Sequence, residues 1–178
     1  MARKLPELEA PELLDLALRA LASRAYSVAE LREKLTRRAA NEEDVAAVLD
    51  RLREYGYVND RKLADAFASA RLANQGLGKA RVVRDLRKRR VARGVAESAA
   101  EEAYRGADEV ALIEAFLRRK YRSEPLETLL ADPRSLASVY RRLRSAGFTA
   151  SNSIAVLRRF TREAEALEGL EESPEETA

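Results

Sequence analysis

The stretch that decides the fold reads Ser27-Val-Ala-Glu30-Leu31-Arg-Glu-Lys34-Leu35, then Leu52-Arg-Glu-Tyr55-Gly56-Tyr57-Val58-Asn59-Asp60, then Gly76-Leu-Gly78-Lys79-Ala-Arg81-Val82-Val83-Arg84-Asp85-Leu86. It spells helix, helix, tight turn, helix, glycine break, helix. Ser27 and Glu30 form a capping box: the serine oxygen accepts one orphan N–H and the glutamate reaches back to the serine N–H. Gly56 suits the left-handed residue that closes a helix. Asn59 or Asp60 then caps the next helix, and Gly76 with Gly78 marks its end.

Working outward, apolar residues at helical spacing set the remaining elements. A first helix is expected over 11–24, with Leu14, Leu18 and Leu21 inward. A second over 28–38 buries Leu31 and Leu35. Asn41 caps a third, with Asp44 standing in for the capping-box glutamate, and Val45, Val48, Leu49 and Leu52 lead to Gly56. A fourth runs from Asp60, a fifth over 79–90 with Val82, Val83 and Leu86 inward, and a sixth over 95–104. The seventh covers 108–121, a partial turn falls in 122–132, and an eighth starts at Pro133. Thr149 caps the ninth. Beyond Leu170 the acidic, polar composition predicts disorder.

The phrase recurs. With Leu35, Leu86 and Leu143 in register, the apolar positions four earlier are Leu31, Val82 and Val139. Fourteen later stand Leu49, Ala100 and Leu157, and seventeen later Leu52, Ala103 and Phe160. The reading is all-α, built as three tandem three-helix repeats stabilised by stacking on one another. Their bounds are 11–58, 59–106 and 107–162, between a polar lead-in (1–10) and a helix end with an acidic tail (163–178).

Composition narrows the chemistry. The chain has no Cys, His or Trp, which excludes disulfides, thiolate or imidazole metal sites, and any nucleophile paired with histidine. Gly76-Leu77-Gly78-Lys79 lacks the spacing and the preceding strand of a phosphate-binding loop. No active-site geometry suggests itself, so no enzyme, cofactor or metal is expected. The N-terminal residues carry no apolar signal-peptide core, and no apolar run approaches the ~20 residues of a membrane span.

Charge is unevenly placed. Every Lys and Arg lies at or before Arg162, so residues 1–162 carry 33 bases against 23 acids, a net of +10. The three repeats carry −1, +6 and +5. In the fifth helix Arg81, Arg84 and Lys88 point away from Val82 and Leu86 at 100° per residue, with Arg87 on the flank. Arg141 and Arg142 do the same on the eighth. Helix two instead puts Glu30, Glu33 and Arg37 at the positions matching Arg81, Arg84 and Lys88. The basic ridge of Arg81, Arg84, Arg87, Lys88, Arg141 and Arg142 is the candidate contact set for an anionic partner, either DNA phosphate or an acidic protein surface. Of the tyrosines flanking Gly56, one is expected to pack and the other to be exposed.

These residues resemble a known family. Leu21-Ala-Ser-Arg24-Ala-Tyr26-Ser27 through Leu35, then Leu52 through Ala64, then Gly76 through Leu86, are similar to the signature of the RecX regulatory proteins; the likeness covers about 14–160 and is strongest to Leu86. It implies an elongated, curved array of helical repeats. It also implies a cytoplasmic modulator that binds the RecA–DNA filament and restrains its ATP hydrolysis and strand exchange. From the residues themselves, any DNA contact is expected to be weak and made mostly to the backbone, and with nothing to suggest an obligate dimer a monomer is expected. A tandem helix-turn-helix DNA-binding regulator is the alternative. The chain departs from the family at Ala39-Ala40, at Gly78-Lys79 and at Arg89-Arg90, where glycine or proline is usual. The fifth helix is therefore expected to end without a left-handed residue.

Overall fold

In the computed structural model the chain is described over residues 7–164 and at 167. The first six residues and most of the acidic tail expected beyond Glu163 lie outside the described residues. The protein is all-α: α1 (Ala10–Ser23), α2 (Val28–Thr36), α3 (Glu42–Glu54), α4 (Asp60–Gln75), α5 (Lys79–Lys88), α6 (Arg93–Ala103), α7 (Glu109–Lys120), the one-turn α8 (Leu126–Leu129), α9 (Pro133–Ser145) and α10 (Ala150–Leu157). Among the described residues, none of these helices is long and apolar enough to cross a membrane.

The helices form two compact units. The first takes residues 7–68 and 83–102, the second 69–82 with 103–164 and 167; α4 and α5 contribute residues to both. In the first unit α1 packs on α2 and α3, burying Leu13, Ala17, Leu31, Leu35, Val45, Leu49 and Leu52. In the second, α10 packs on α7 and α9 around Ile113, Leu117, Leu136, Leu143, Phe148 and Leu157. Burying each of the larger of these side chains, the valines, leucines, isoleucine and phenylalanine, contributes about 1.5–3 kcal/mol before chain entropy is subtracted.

Local chemistry explains the element ends. Ser27 Oγ accepts from the Glu30 N–H at 3.0 Å and the Glu30 carboxylate accepts from the Ser27 N–H at 2.8 Å, the reciprocal capping box. Asn41 Oδ1 accepts from the Asp44 N–H at 2.8 Å, but Asp44 does not complete a second box. Its carboxylate accepts from the Asn41 side-chain amide at 3.0 Å, being one methylene too short for the backbone N–H. Thr149 sits at the N-cap of α10 without a side-chain cap; its hydroxyl donates to Glu109 instead.

Three helix ends share one closure. After α3, α5 and α9 the N–H of Tyr57, Val91 and Phe148 donates to the carbonyl of Leu52, Leu86 and Leu143, five residues back. The residue before each is left-handed: Gly56 at φ 72°, Arg90 at φ 60° and Gly147 at φ 94°. This is a Schellman closure, and the burial of Val58, Val91 and Phe148 beside these turns supplies the apolar contact that accompanies it. The expectation for α5 is thus corrected: it does end on a left-handed residue, and that residue is an arginine. The matching position after α2, Ala39, closes differently. Leu8 forms an isolated bridge with it, accepting from the Ala40 N–H at 3.0 Å and donating to the Arg38 carbonyl at 2.7 Å, so no left-handed residue is required there. A side chain at Arg90 costs about 1–2 kcal/mol relative to glycine. Its exposed pair with Glu33, at 3.2 Å, offsets less than about 1 kcal/mol. Arg90→Gly is therefore expected to raise stability by about 0.5–1 kcal/mol in urea denaturation; a loss of stability would refute the strain.

The face of α1 is also corrected. Leu13, Ala17 and Ala20 are buried, Leu14 and Leu21 only partly, and Leu18 is 36 % exposed. Two apolar stripes run along this helix, and the buried one is the stripe of Leu13, Ala17 and Ala20. Tyr55 and Tyr57 are both exposed, at 64 % and 60 %, because the left-handed Gly56 turns the loop outward and Val58 takes the buried place instead.

Candidate functional site

Helix α5 has no acid in its first turn and ends Arg87-Lys88. Its buried residues are Val82 and Leu86, which leaves Arg84, Arg87 and Lys88 exposed and Arg81 half-buried. Arg87 Nη1 donates to the Val91 carbonyl at 2.7 Å, tying it to the closure of its own helix. Lys88 borders a polar hollow in the first unit with Arg24, Lys34, Arg37 and Arg90, where Glu30 and Glu33 supply the counter-charge.

The rest of the basic run is structural. Arg89 places Nη2 on Glu30 at 2.8 Å and also on the Ala25 carbonyl at 2.7 Å. Ser27, fully buried, donates its hydroxyl proton to the Arg89 carbonyl at 2.6 Å. Burial alone would raise the Glu30 carboxyl pKa. The Arg89 hydrogen bond, the Ser27 N–H and the charges of Arg89 and Arg24 outweigh it, and the pKa falls below the ordinary 4.5. Arg90 pairs with Glu33 and Arg93 with Glu97. Glu30 and Glu33, at the positions that match Arg81 and Arg84, thus hold Arg89 and Arg90, the two residues that follow α5. Long-range pairs such as Glu30–Arg89 left no local signal in the sequence.

In the second unit the structure brings two of the candidate residues together. Arg81 and Arg142 line a groove of about 360 Å³ with Arg119, Lys120 and Ser145, over a floor of Leu77, Phe116 and Ala146. No acidic residue lines it. The groove exists because the end of α9 meets the start of α5. The Gly78 N–H donates to the Ala146 carbonyl at 2.9 Å, the Ala80 N–H to the Gly147 carbonyl at 3.3 Å, and Arg81 Nη1 to the Ser145 carbonyl at 3.2 Å. Orphan carbonyls of one helix thereby satisfy orphan N–H groups of the other. Tyr104 fixes the floor by donating its hydroxyl to the Leu77 carbonyl; burial pushes its pKa up to about 12, so the proton stays in place. Arg141, exposed on α9, does not line the groove. Arg119 and Lys120 escaped the sequence reading because bases in the last turn of α7 look like ordinary partners of a helix C-terminus.

Among the described residues no group of His, Cys, Asp or Glu side chains is arranged to hold a metal ion. Tyr57 borders an apolar hollow of the first unit with Leu21, Tyr26, Leu63 and Phe67, and Lys62 supplies a charge at its edge.

Residues 14–52 match the family model described as RecX, first three-helix domain. The chain is 32 % identical over 136 residues to a regulatory protein RecX of Syntrophotalea carbinolica, covering 76 % of this chain and 87 % of that protein. It is 47 % identical over 77 residues to a regulatory protein RecX of Deinococcus radiodurans, covering 43 % of this chain and 36 % of that one. The fold is similar to the crystal structure of RecX from Lactobacillus salivarius, with a TM-score of 0.67 at 16 % identity over 85 % of this chain and 96 % of the other. It is also similar to a crystal structure of a regulatory protein RecX, with a TM-score of 0.62 at 20 % identity over 83 % of this chain and 70 % of the other.

Proposed function

The chain belongs to the RecX family of regulatory proteins, and on that premise we propose that it binds the RecA–DNA filament and restrains RecA recombinase and ATPase activity during DNA repair and recombination. The reading takes the protein as a non-enzymatic, cytoplasmic monomer built from three helical repeats (11–58, 59–106 and 107–162). The observation that carries it is the similarity to a regulatory protein RecX running over 136 residues and most of that relative's length. The exposed cations agree with it. Arg84, Arg87 and Lys88 on α5, and Arg141 and Arg142 on α9, face solvent, and Arg81 stands at the edge of a groove without acids. Arginine offers a planar fork to phosphate or carboxylate, which suits a surface that meets both DNA and protein. DNA contacts of this kind are made to the backbone and weaken steeply with salt.

The test is RecA ATPase on single-stranded DNA with the protein titrated in below one copy per RecA. Inhibition is expected, and it should disappear in the triple variant Arg81→Glu, Arg84→Glu, Lys88→Glu while helical circular dichroism is retained. No inhibition at saturation, using RecA of the same source, would overturn the reading; a footprint confined to one duplex sequence would replace it with the DNA-binding regulator. An inhibitory triple variant would remove these three residues from the contact set.

A further inference from the structure

The groove of the second unit differs from a phosphate-tracking surface in having an apolar floor. From this we infer that it is a docking site for an acidic peptide segment of a partner protein, one aliphatic side chain seated on Leu77 and Ala146 and flanking carboxylates held by Arg119, Lys120 and Arg142. The inference rests on the filament-regulator reading only for which protein supplies the peptide.

Charge complementarity fixes the sign of the occupant. Among the described residues no carboxylate pairs with Arg119, Lys120 or Arg142. The Arg119 partners are neutral: Nη2 donates to the Gln75 carbonyl and the guanidinium lies 5.8 Å from the centre of the Phe116 ring. That arginine is held in place with its charge uncompensated, so ordering it on binding costs little. A helix C-terminus favours a cation in its last turn, but that preference does not bring the ends of α7 and α9 together on one hollow.

The floor decides between peptide and nucleic acid. Bases bind protein surfaces by stacking on open aromatic faces. Here the one aromatic ring, Phe116, has Arg119 against it and the edge-to-face ring of Phe148 at 5.6 Å. The aliphatic part of the floor is the half-buried Leu77, with the nearly covered Ala146 beside it. A phosphodiester would leave that floor uncovered, whereas a leucine or isoleucine between acids would bury it. A buried apolar centre inside a polar, solvent-accessible rim is the common anatomy of protein interfaces.

The experiment is fluorescence anisotropy with the full chain and a labelled peptide, Glu-Glu-Leu-Glu-Glu, with no recombinase present; failure here is therefore distinguishable from failure of filament regulation. Saturable binding is expected, weakened at least about tenfold when the peptide leucine is replaced by glycine and by a similar factor in Arg119→Glu with Arg142→Glu. The milder pair Arg119→Gln with Arg142→Gln should weaken it less. The glycine peptide needs no protein variant, so the inference is testable whatever the variants do to folding. Equal binding of both peptides would overturn it in favour of unspecific charge attraction. Full displacement by oligothymidylate of about 20 nucleotides, with the same loss in the arginine variants, would assign the groove to nucleic acid. Self-association abolished by those variants would assign it to a second copy. Peptide affinity raised about tenfold by deleting residues 168–178 would assign it to the chain's own acidic end. Each of these three outcomes refutes the partner-peptide assignment.

Discussion

Gly147→Ala is expected to destabilise the protein by about 3–5 kcal/mol, from one methyl group. A Cβ at this position would stand 2.2 Å from the Arg81 backbone nitrogen and 2.5 Å from the Arg81 Cβ. The neighbour is largely backbone and cannot swing away. The residue also sits at φ 94°, where an L side chain costs about 1–2 kcal/mol before any clash is counted. Gly78→Ala meets the same contact from the other side, its Cβ 2.2 Å from the Gly147 carbonyl carbon and oxygen. Gly78 needs no left-handed backbone, so closeness alone makes it glycine. Because the two substitutions spoil one contact, the double variant should cost less than the sum of the singles. Gly94→Ala is the control. Nothing lies within 4 Å of its added carbon, it stands in the first turn of α6, where the full helix-interior gain does not apply, and it should stabilise by up to about 0.5 kcal/mol. Calorimetry should place the Gly147→Ala midpoint at least about 6 °C below the Gly94→Ala midpoint. Coincident midpoints would mean that the junction of α9 and α5 opens freely. Since that junction seats Arg81 beside Ser145, a softened junction would also loosen the groove.

How far this was legible beforehand varies by element. Ser27, Glu30 and Gly56 announced their roles because capping and left-handed closure depend on residues within a few positions of each other; of the two caps offered for α4, Asn59 is the one whose side chain accepts, from the Lys62 N–H at 3.0 Å. The register of Leu35, Leu86 and Leu143 identified buried positions, as all three are fully buried. The stripe of α1 was misread because periodicity cannot rank two apolar faces on one helix; the buried face carries Leu13, Ala17 and Ala20. Arg90 was misread because a glycine rule was applied where the closure tolerates strain. Of the ridge, Arg81 is half-buried, and Arg84, Arg87, Lys88, Arg141 and Arg142 were legible as exposed charge on α5 and α9. The groove was not, since Leu77, Arg119 and Arg142 come from three segments and share no sequence pattern.

The second large effect concerns Glu30. Glu30→Gln should cost about 2 kcal/mol at pH 7, a partial loss of a charge-assisted network whose carboxylate is 20 % exposed and which would cost about 3–5 kcal/mol if fully buried. Four groups converge on this carboxylate: the Ser27 N–H at 2.8 Å, Arg89 Nη2 at 2.8 Å, Arg89 Nε at 3.3 Å and Arg24 Nη1 at 3.4 Å. Glutamine retains an oxygen for one of them and withdraws the charge from the rest. The pH dependence separates charge from shape. The folded carboxyl titrates below its ordinary value of 4.5, so its contribution is fully present above that pH and is lost as pH falls through the lower folded value. The stability gap between wild type and Glu30→Gln should therefore hold steady from neutral pH to about pH 5.5 and close on further acidification. A gap of the same size at pH 3 would assign the effect to capping geometry alone. Arg89→Met supplies the cross-check: combined with Glu30→Gln it should cost about 1–2 kcal/mol less than the two singles added, because either change already breaks the pair. Strict additivity would mean that Arg89 holds the start of α2 through the Ala25 carbonyl and not through the acid. The ion pair would then be a consequence of Arg89 being seated on the Ala25 carbonyl.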